Sequence, residues 1–93
     1  MATWDLDKRL LNLRKHGVDL ALCGVVFDSP LVTHEDDRAD YGEQRLQSLG
    51  MLDTDVVFMV WTERDTGPHL ISVRKANRHE QEYYFANLRH LGF

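Results

Sequence analysis

The sequence predicts an α+β fold, with helices segregated from a mostly antiparallel sheet of about four strands. Three observations predict it. Apolar residues recur at helical spacing near both ends of the chain. A continuous apolar run of strand length, Val56 to Trp61, lies past the middle. Turn-forming clusters bound the strand-like segments. The 93 residues are one domain's worth of chain, read as a single domain over 1–93.

Two helices open the chain. Trp4 to His16 carries Leu6, Leu10 and Leu13 at i, i+4 and i+7, one apolar stripe. Lys8, Arg9, Asn12 and Lys15 lie off it. Asp5 is placed as the N-cap and Gly17 as the residue after the helix. A second short helix, Leu20 to Phe27, has Asp19 as its cap and Val18 with Cys23 as a hydrophobic staple. Asp28-Ser29-Pro30 stops it, because Pro30 cannot continue a helix and restrains Ser29.

Strands follow. Leu31 to His34 is a short one. Gln44 to Leu52 alternates weakly and is interrupted by Gly50. Asp55 to Glu63 is the strongest, apolar on both faces as in a central strand covered on two sides. Arg64-Asp65-Thr66-Gly67-Pro68 reads as a hairpin loop. His69 to Lys75 is its partner, with Ile71 and Val73 on one face and Leu70, Ser72 and Arg74 on the other. The last helix begins at Asn77, which stands at capping-box spacing from Glu80. Tyr84, Leu88 and Leu91 form its stripe.

The net charge of −4 argues against nucleic-acid binding taken alone. Its distribution changes that inference. Between Glu35 and Glu43 stand Glu35, Asp36, Asp37, Asp40 and Glu43 against Arg38 only, which accounts for the whole net charge. The remainder is neutral and holds basic clusters at Lys8, Arg9, Arg14, Lys15 and at Arg74, Lys75, Arg78. No segment approaches the roughly 20 apolar residues of a membrane span. With no charged leader ahead of an apolar block, no secretory signal is expected. One cysteine, Cys23, forms no internal disulfide and reads as a buried thiol.

Cofactor chemistry has no foothold. His16, His34, His69, His79 and His90 show no metal-binding spacing, and there is no phosphate loop or nucleophile elbow. RNA can be cut without either, because its own 2′-OH attacks the adjacent phosphate. The protein then needs a group to take the 2′ proton, charge to stabilise the phosphorane, and a group to protonate the 5′ oxygen. Arg suits the phosphoryl oxygens through its planar fork. Glu63-Arg64 ends the central strand and Arg74-Lys75 ends its partner. In a hairpin, Glu63 and Arg64 flank the turn and Arg74 lies at the far end. The first helix, or the start of the last one with Arg78 and His79, would complete a site there.

Trp4-Asp5, Lys8, Asn12 and Lys15-His16-Gly17-Val18 resemble the opening of the BrnT family of toxins, WD..K...N..KHGV. Val26-Phe27-Asp28-Ser29-Pro30 resembles its VF.DP. Glu43 to Arg45 with Leu49-Gly50 is similar to its E.R...LG, and Thr62-Glu63-Arg64 to its TER. Ile71 to Ala76, Glu80 and Tyr83 or Tyr84 are similar to its ISAR.A...E..Y ending. The ordered set spans Trp4 to about Tyr84. Val73 stands where that family has a small residue.

The resemblance implies a RelE-like fold and a cytoplasmic, metal-independent endoribonuclease with no cofactor, which inhibits translation and growth. It also implies neutralisation by a BrnA-type antitoxin, with DNA contacted only through that antitoxin. Matching residues carry functional interest onto Lys15, His16, Glu63, Arg64 and Arg74: Arg64 and Arg74 on phosphate, Glu63 or Lys15 in proton transfer. The acidic segment supports a second reading, a catalytically inactive relative acting as corepressor or protein-binding module.

Overall fold

The structure, a computed structural model, describes residues 1–38 and 42–92. Its elements run β1 (Thr3–Trp4), α1 (Leu6–His16), a 3₁₀ helix (Leu20–Asp28), β2 (Val32–Asp36), β3 (Arg45–Leu52), β4 (Asp55–Arg64), β5 (Gly67–Lys75) and α2 (Arg78–His90). The sheet has five strands in the order β1-β5-β4-β3-β2. Every pairing is antiparallel except β1 with β5. The α+β class holds, with one more strand than expected. Thr3–Trp4 carries no strand signature of its own. His69 holds it in place, taking Thr3 Oγ1 at 2.7 Å from Nδ1, with the Asp5 carboxylate 3.5 Å from Nε2.

The first helix ends as the sequence indicates. Gly17 adopts φ 70°, a left-handed turn, and its N–H donates to the Leu13 carbonyl. Asp5 occupies the N-cap position but its side chain makes no capping bond. The second helix is 3₁₀ rather than α. Asp19 caps it by accepting from the Ala21 N–H, and Val18 and Cys23 share the core cluster around its first turn.

The apolar stripe of α1 corrects the usual expectation for a surface helix. Leu6, Leu10 and Leu13 are 62%, 53% and 38% exposed. Asn12 is the helix's buried residue. Its Nδ2 donates to the Val18 and Val73 carbonyls, each at 2.8 Å, and its Oδ1 accepts from the Val73 N–H at 3.0 Å. β1 pairs β5 only at His69 and Leu70, so the edge of β5 at Val73 is otherwise open. Peptide groups there must find partners, and the carboxamide of Asn12 supplies both a donor and an acceptor. Three directed bonds fix the helix with its polar side inward. Arg9, one turn earlier, pairs with Asp19 at 2.8 Å.

In the sheet, β4 is covered on both faces as its composition requires. Val57, Met59 and Trp61 meet Leu20, Cys23 and Val26 of the 3₁₀ helix; burying a side chain such as Leu20 stabilises by about 1.5–3 kcal/mol. Val56 and Phe58 meet Tyr84 and Leu88 of α2 on the other face. Phe27 packs edge-on against Trp61 with centroids 5.0 Å apart.

Two strand details differ from the alternation read in the sequence. The register shifts between Val60 and Trp61: Val60 faces Ser72 while Trp61 faces Leu70. Leu70 and Val73 therefore both enter the core, and Ile71 is the extra residue of a bulge. Gly50 does not interrupt β3. A Cβ there would stand 2.6 Å from Val26 Cγ1 and 2.8 Å from Leu31 Cδ2, so its absence is what lets the 3₁₀ helix approach the sheet. The β4–β5 loop is also shorter than expected, only Asp65-Thr66 between the strands.

α2 starts with the expected capping box, Asn77 and Glu80 bonding reciprocally. Tyr84 is fully buried and donates to the Pro30 carbonyl at 2.8 Å. Leu91 falls beyond the helix and is exposed, so the stripe stops at Leu88. Among the described residues, no helix is long and apolar enough to cross a membrane.

Replacing Asn12 by Ala leaves the Val73 N–H and two carbonyls buried without partners. The expected outcome is a loss of roughly 3 kcal/mol in urea unfolding. Lys8→Ala on the same helix, a control with no buried bond, stays within about 0.5 kcal/mol of the parent.

Candidate functional site

His16 lies one turn beyond Asn12 and shares its inward direction. It is half-buried, and with Lys8, Leu11, Asn12, Lys15, Ile71 and Ser72 it lines a cleft of about 160 Å³ between α1 and the edge of β5. Burial, then the charges of Lys15 and Arg74, hold His16 below the ordinary imidazole value. The structure thus brings three of the sequence candidates together: Lys15 and His16 at the end of α1, and Arg74 near the end of β5. A neutral imidazole beside two fixed cations can accept a proton while the cations face an anion.

Arg74 is not idle in this arrangement. Its fork meets both Glu80 oxygens, at 2.8 and 2.9 Å, and its guanidinium stacks 4.3 Å above the Phe58 ring. The hydrogen-bonded Glu80 raises Arg74 further, and Arg74 in turn lowers Glu80. Glu80 also closes the capping box, so one carboxylate ties the end of β5 to the start of α2. Any anion approaching Arg74 has to share or displace this carboxylate.

Glu63 and Arg64 lie elsewhere. They pair with Pro68 and Gly67 at the tip of the hairpin, whereas Arg74 pairs with Phe58. Five residues of strand separate the two ends, about 17 Å. Both tip residues are exposed, and Arg64 reaches Glu43 at 3.2 Å. The five candidates therefore fall into a group of three and a group of two on one hairpin.

The acidic segment is partly built into the sheet. Glu35 and Asp36 belong to β2, and the Asp36 side chain is fully buried. It accepts from Arg38 Nε at 2.8 Å and Nη2 at 2.9 Å. The Arg38 hydrogen bonds, helped by Gln47, bring the Asp36 carboxyl down to about 2 against burial. Asp40 lies outside the described residues. The segment's charge is partly consumed in the fold by the Asp36–Arg38 and Glu43–Arg64 pairs.

A larger cleft, about 560 Å³, is bounded by Ala2, Ala21, Leu22, Val25, Phe27 and Pro68 and has Asp28 as its titratable side chain. The smaller cleft is the one of the two lined by basic side chains, Lys8, Lys15 and His16. Among the described residues, no three His, Cys, Asp or Glu side chains gather into a group that could hold a metal ion. Cys23 is buried, with its thiol pushed up to about 11 by burial, and takes no part. His79 is exposed on the first turn of α2.

Sequence reasoning undervalued Asn12, an off-stripe residue whose one signal was its place in the N..KHGV pattern. It named neither His34 nor Tyr83 as a site residue. These hydrogen-bond across β2 and α2 at 2.9 Å, and no local pattern connects residues so far apart in sequence.

Residues 4–80 match the family described as the ribonuclease toxin, BrnT, of type II toxin-antitoxin systems. The match covers most of the chain, which belongs to this family of ribonuclease toxins. No curated protein matches it.

The buried Asp36 gives a prediction that needs no substrate. Its folded carboxyl titrates below the ordinary 3.8, so its contribution to stability is complete above about pH 4 and fades as pH falls towards 2. Asp36→Asn is expected to unfold at lower urea than the parent at pH 7. That gap narrows as the pH of the titration is lowered from about 4 to about 2.

Proposed function

We propose that the chain is a metal-independent endoribonuclease toxin whose reaction centre is the cleft lined by Lys15 and His16, with Arg74 close enough for His16 to feel its charge. The observation that carries this reading is a half-buried neutral histidine flanked by two cations, in a chain of the BrnT family. The 2′-OH of the substrate supplies the nucleophile, so the protein has no water to activate. His16 takes the 2′ proton as the 2′-oxygen bonds to phosphorus. Lys15 gives a proton to the 5′ oxygen as the P–O5′ bond breaks, and Arg74 faces the phosphoryl oxygens. The products are a 2′,3′-cyclic phosphate and a 5′-hydroxyl. Arg64 and Glu63, about 17 Å off, act on a neighbouring stretch of the strand, Arg64 through phosphate charge. In this reading the β-sheet core with its flanking helices is RelE-like, the enzyme works in the cytoplasm, and mRNA loss inhibits translation and growth.

Induction of the chain is expected to arrest growth, and co-expression of its antitoxin to reverse the arrest. In vitro, His16→Ala is expected to lower single-turnover RNA cleavage by about 10²–10⁴-fold. The parent's rate is expected to survive a chelator. Equal rates for parent and variant would sink the assignment of His16. Normal growth with folded protein favours the inactive corepressor, for which the carboxylate already occupying Arg74 is the specific observation.

A type II toxin implies a protein antitoxin, here proposed to be of the BrnA type. The outward leucines of α1 support a surface for it, being a large apolar face left unburied. Arg14 and Asp7 flank it, so a partner helix with apolar and mixed-charge faces is complementary. Leu10→Asp is expected to leave unfolding unchanged and to weaken antitoxin binding by about tenfold or more in calorimetry.

A further inference from the structure

The two faces of the sheet are used unequally. α2 covers one face through Tyr84 and Leu88, which pack on Leu49, Val56 and Phe58 with Val32 and Met51 alongside. The next row towards the hairpin tip is His34, Gln47, Val60 and Ser72, in register across β2, β3, β4 and β5. Side chains alternate along strands, so this row shares the face of Phe58 and Leu49. Its members belong to neither core cluster. Apart from the buried Val60, the row is polar and lies beside α2.

At the β2 end of the row, His34 Nε2 and the Tyr83 hydroxyl are 2.9 Å apart. The ring centroids are 5.8 Å apart with planes at 44°. Both side chains are exposed, Tyr83 by 45%. A hydrogen bond in contact with water adds little to stability. Its effect is to hold two rings in one geometry on an open surface. At the β5 end of the same row, Ser72 lines the cleft of Lys15 and His16. Three strand spacings separate the ends, about 14 Å. That is too far for His34 to exchange protons at a phosphate served by His16, and it is a span that an RNA strand covers in a few nucleotides.

We infer that His34 and Tyr83 form a nucleobase-binding subsite for a nucleotide flanking the scissile one, an inference that rests on the ribonuclease reading of the neighbouring cleft. Single-stranded RNA is held by aromatic and histidine rings on which unpaired bases stack. Rings fixed before binding lose less freedom when the base arrives. Stacking is tolerant of base identity, so the subsite sets how much single strand the enzyme grips more than which sequence it cuts. It also gives an acidic chain affinity for RNA that does not depend on net charge.

The test is steady-state cleavage of a dinucleotide and of a hexanucleotide by the full chain, with parent, Tyr83→Leu and His34→Ala compared. Urea unfolding of each variant is measured alongside. The parent is expected to prefer the hexanucleotide in kcat/KM. Tyr83→Leu is expected to cut that preference by about 5- to 150-fold, the loss falling in KM. His34→Ala, which frees the Tyr83 ring, is expected to cut it less. Tyr83→Phe keeps the ring and is expected to retain most of it. A preference unchanged in Tyr83→Leu overturns the subsite, as does a loss in kcat shared equally by both substrates. Binding of a 2′-O-methyl hexanucleotide, which cannot be cleaved, provides a readout independent of catalysis and is expected to weaken in the same order. A parent that binds this ligand through Tyr83 yet cleaves no RNA refutes the ribonuclease reading and leaves the subsite standing.

Discussion

The side-chain amide of Asn12 stands where a strand would otherwise be. Strand β5 is the edge against which β1 lays only two residues, and at Val73 its N–H and C=O point at nothing but α1. An Asn presents one acceptor and two donors at the geometry of a peptide group, so it completes the ladder from a helix. The same amide reaches Val18, which fixes the turn after Gly17 and the direction in which the 3₁₀ helix departs. Helix, turn and strand are thereby referred to a single side chain. The placement of Lys15 and His16 follows from it, because the rotation of α1 about its axis is set by where Asn12 must point.

That rotation explains an apparent conflict between pattern and packing. An apolar stripe normally decides which side of a surface helix is buried, at about 25 cal/mol for each Å² removed from water. In α1 the decision goes to polar groups. An unpaired peptide group inside the protein costs about twice an ordinary hydrogen bond's net contribution, and Arg9 with Asp19 adds a second directed contact. The leucines are left to whatever meets the helix from outside. The core is assembled without them from the 3₁₀ helix, the sheet and Tyr84.

Much of the fold was legible in the sequence because its signals are local. Gly17, Asp19, Asn77 with Glu80, Pro30 and the run from Val56 act within a few residues of themselves, and each marks what it was read to mark. The features that were not legible depend on distant partners. Thr3–Trp4 is a strand only because His69 receives it. The bulge at Ile71 is a matter of register between two strands. Gly50 reads as a break until Val26 and Leu31 are seen to need its space. The candidate site divides in the same way. Lys15 and His16 are adjacent and were found together, while Arg74 joins them through tertiary structure. Glu63 and Arg64 share the motif logic of Arg74 but sit at the other end of its hairpin. His34 and Tyr83 are 49 residues apart and carry no shared pattern.

The clasp at Val73 also bears on how other chains can attach. An open sheet edge invites a guest strand, the commonest way for an extended segment to bind by its backbone. Here β1 and Asn12 close the β5 edge, so strand addition is left to the opposite edge. That edge is β2, five residues long and bearing Glu35 and the ion-paired Asp36. So short an edge, with Glu35 on it, disfavours pairing with a copy of itself and favours a segment bearing Lys or Arg. The fold is therefore guarded against growing into a continuous sheet with its own kind.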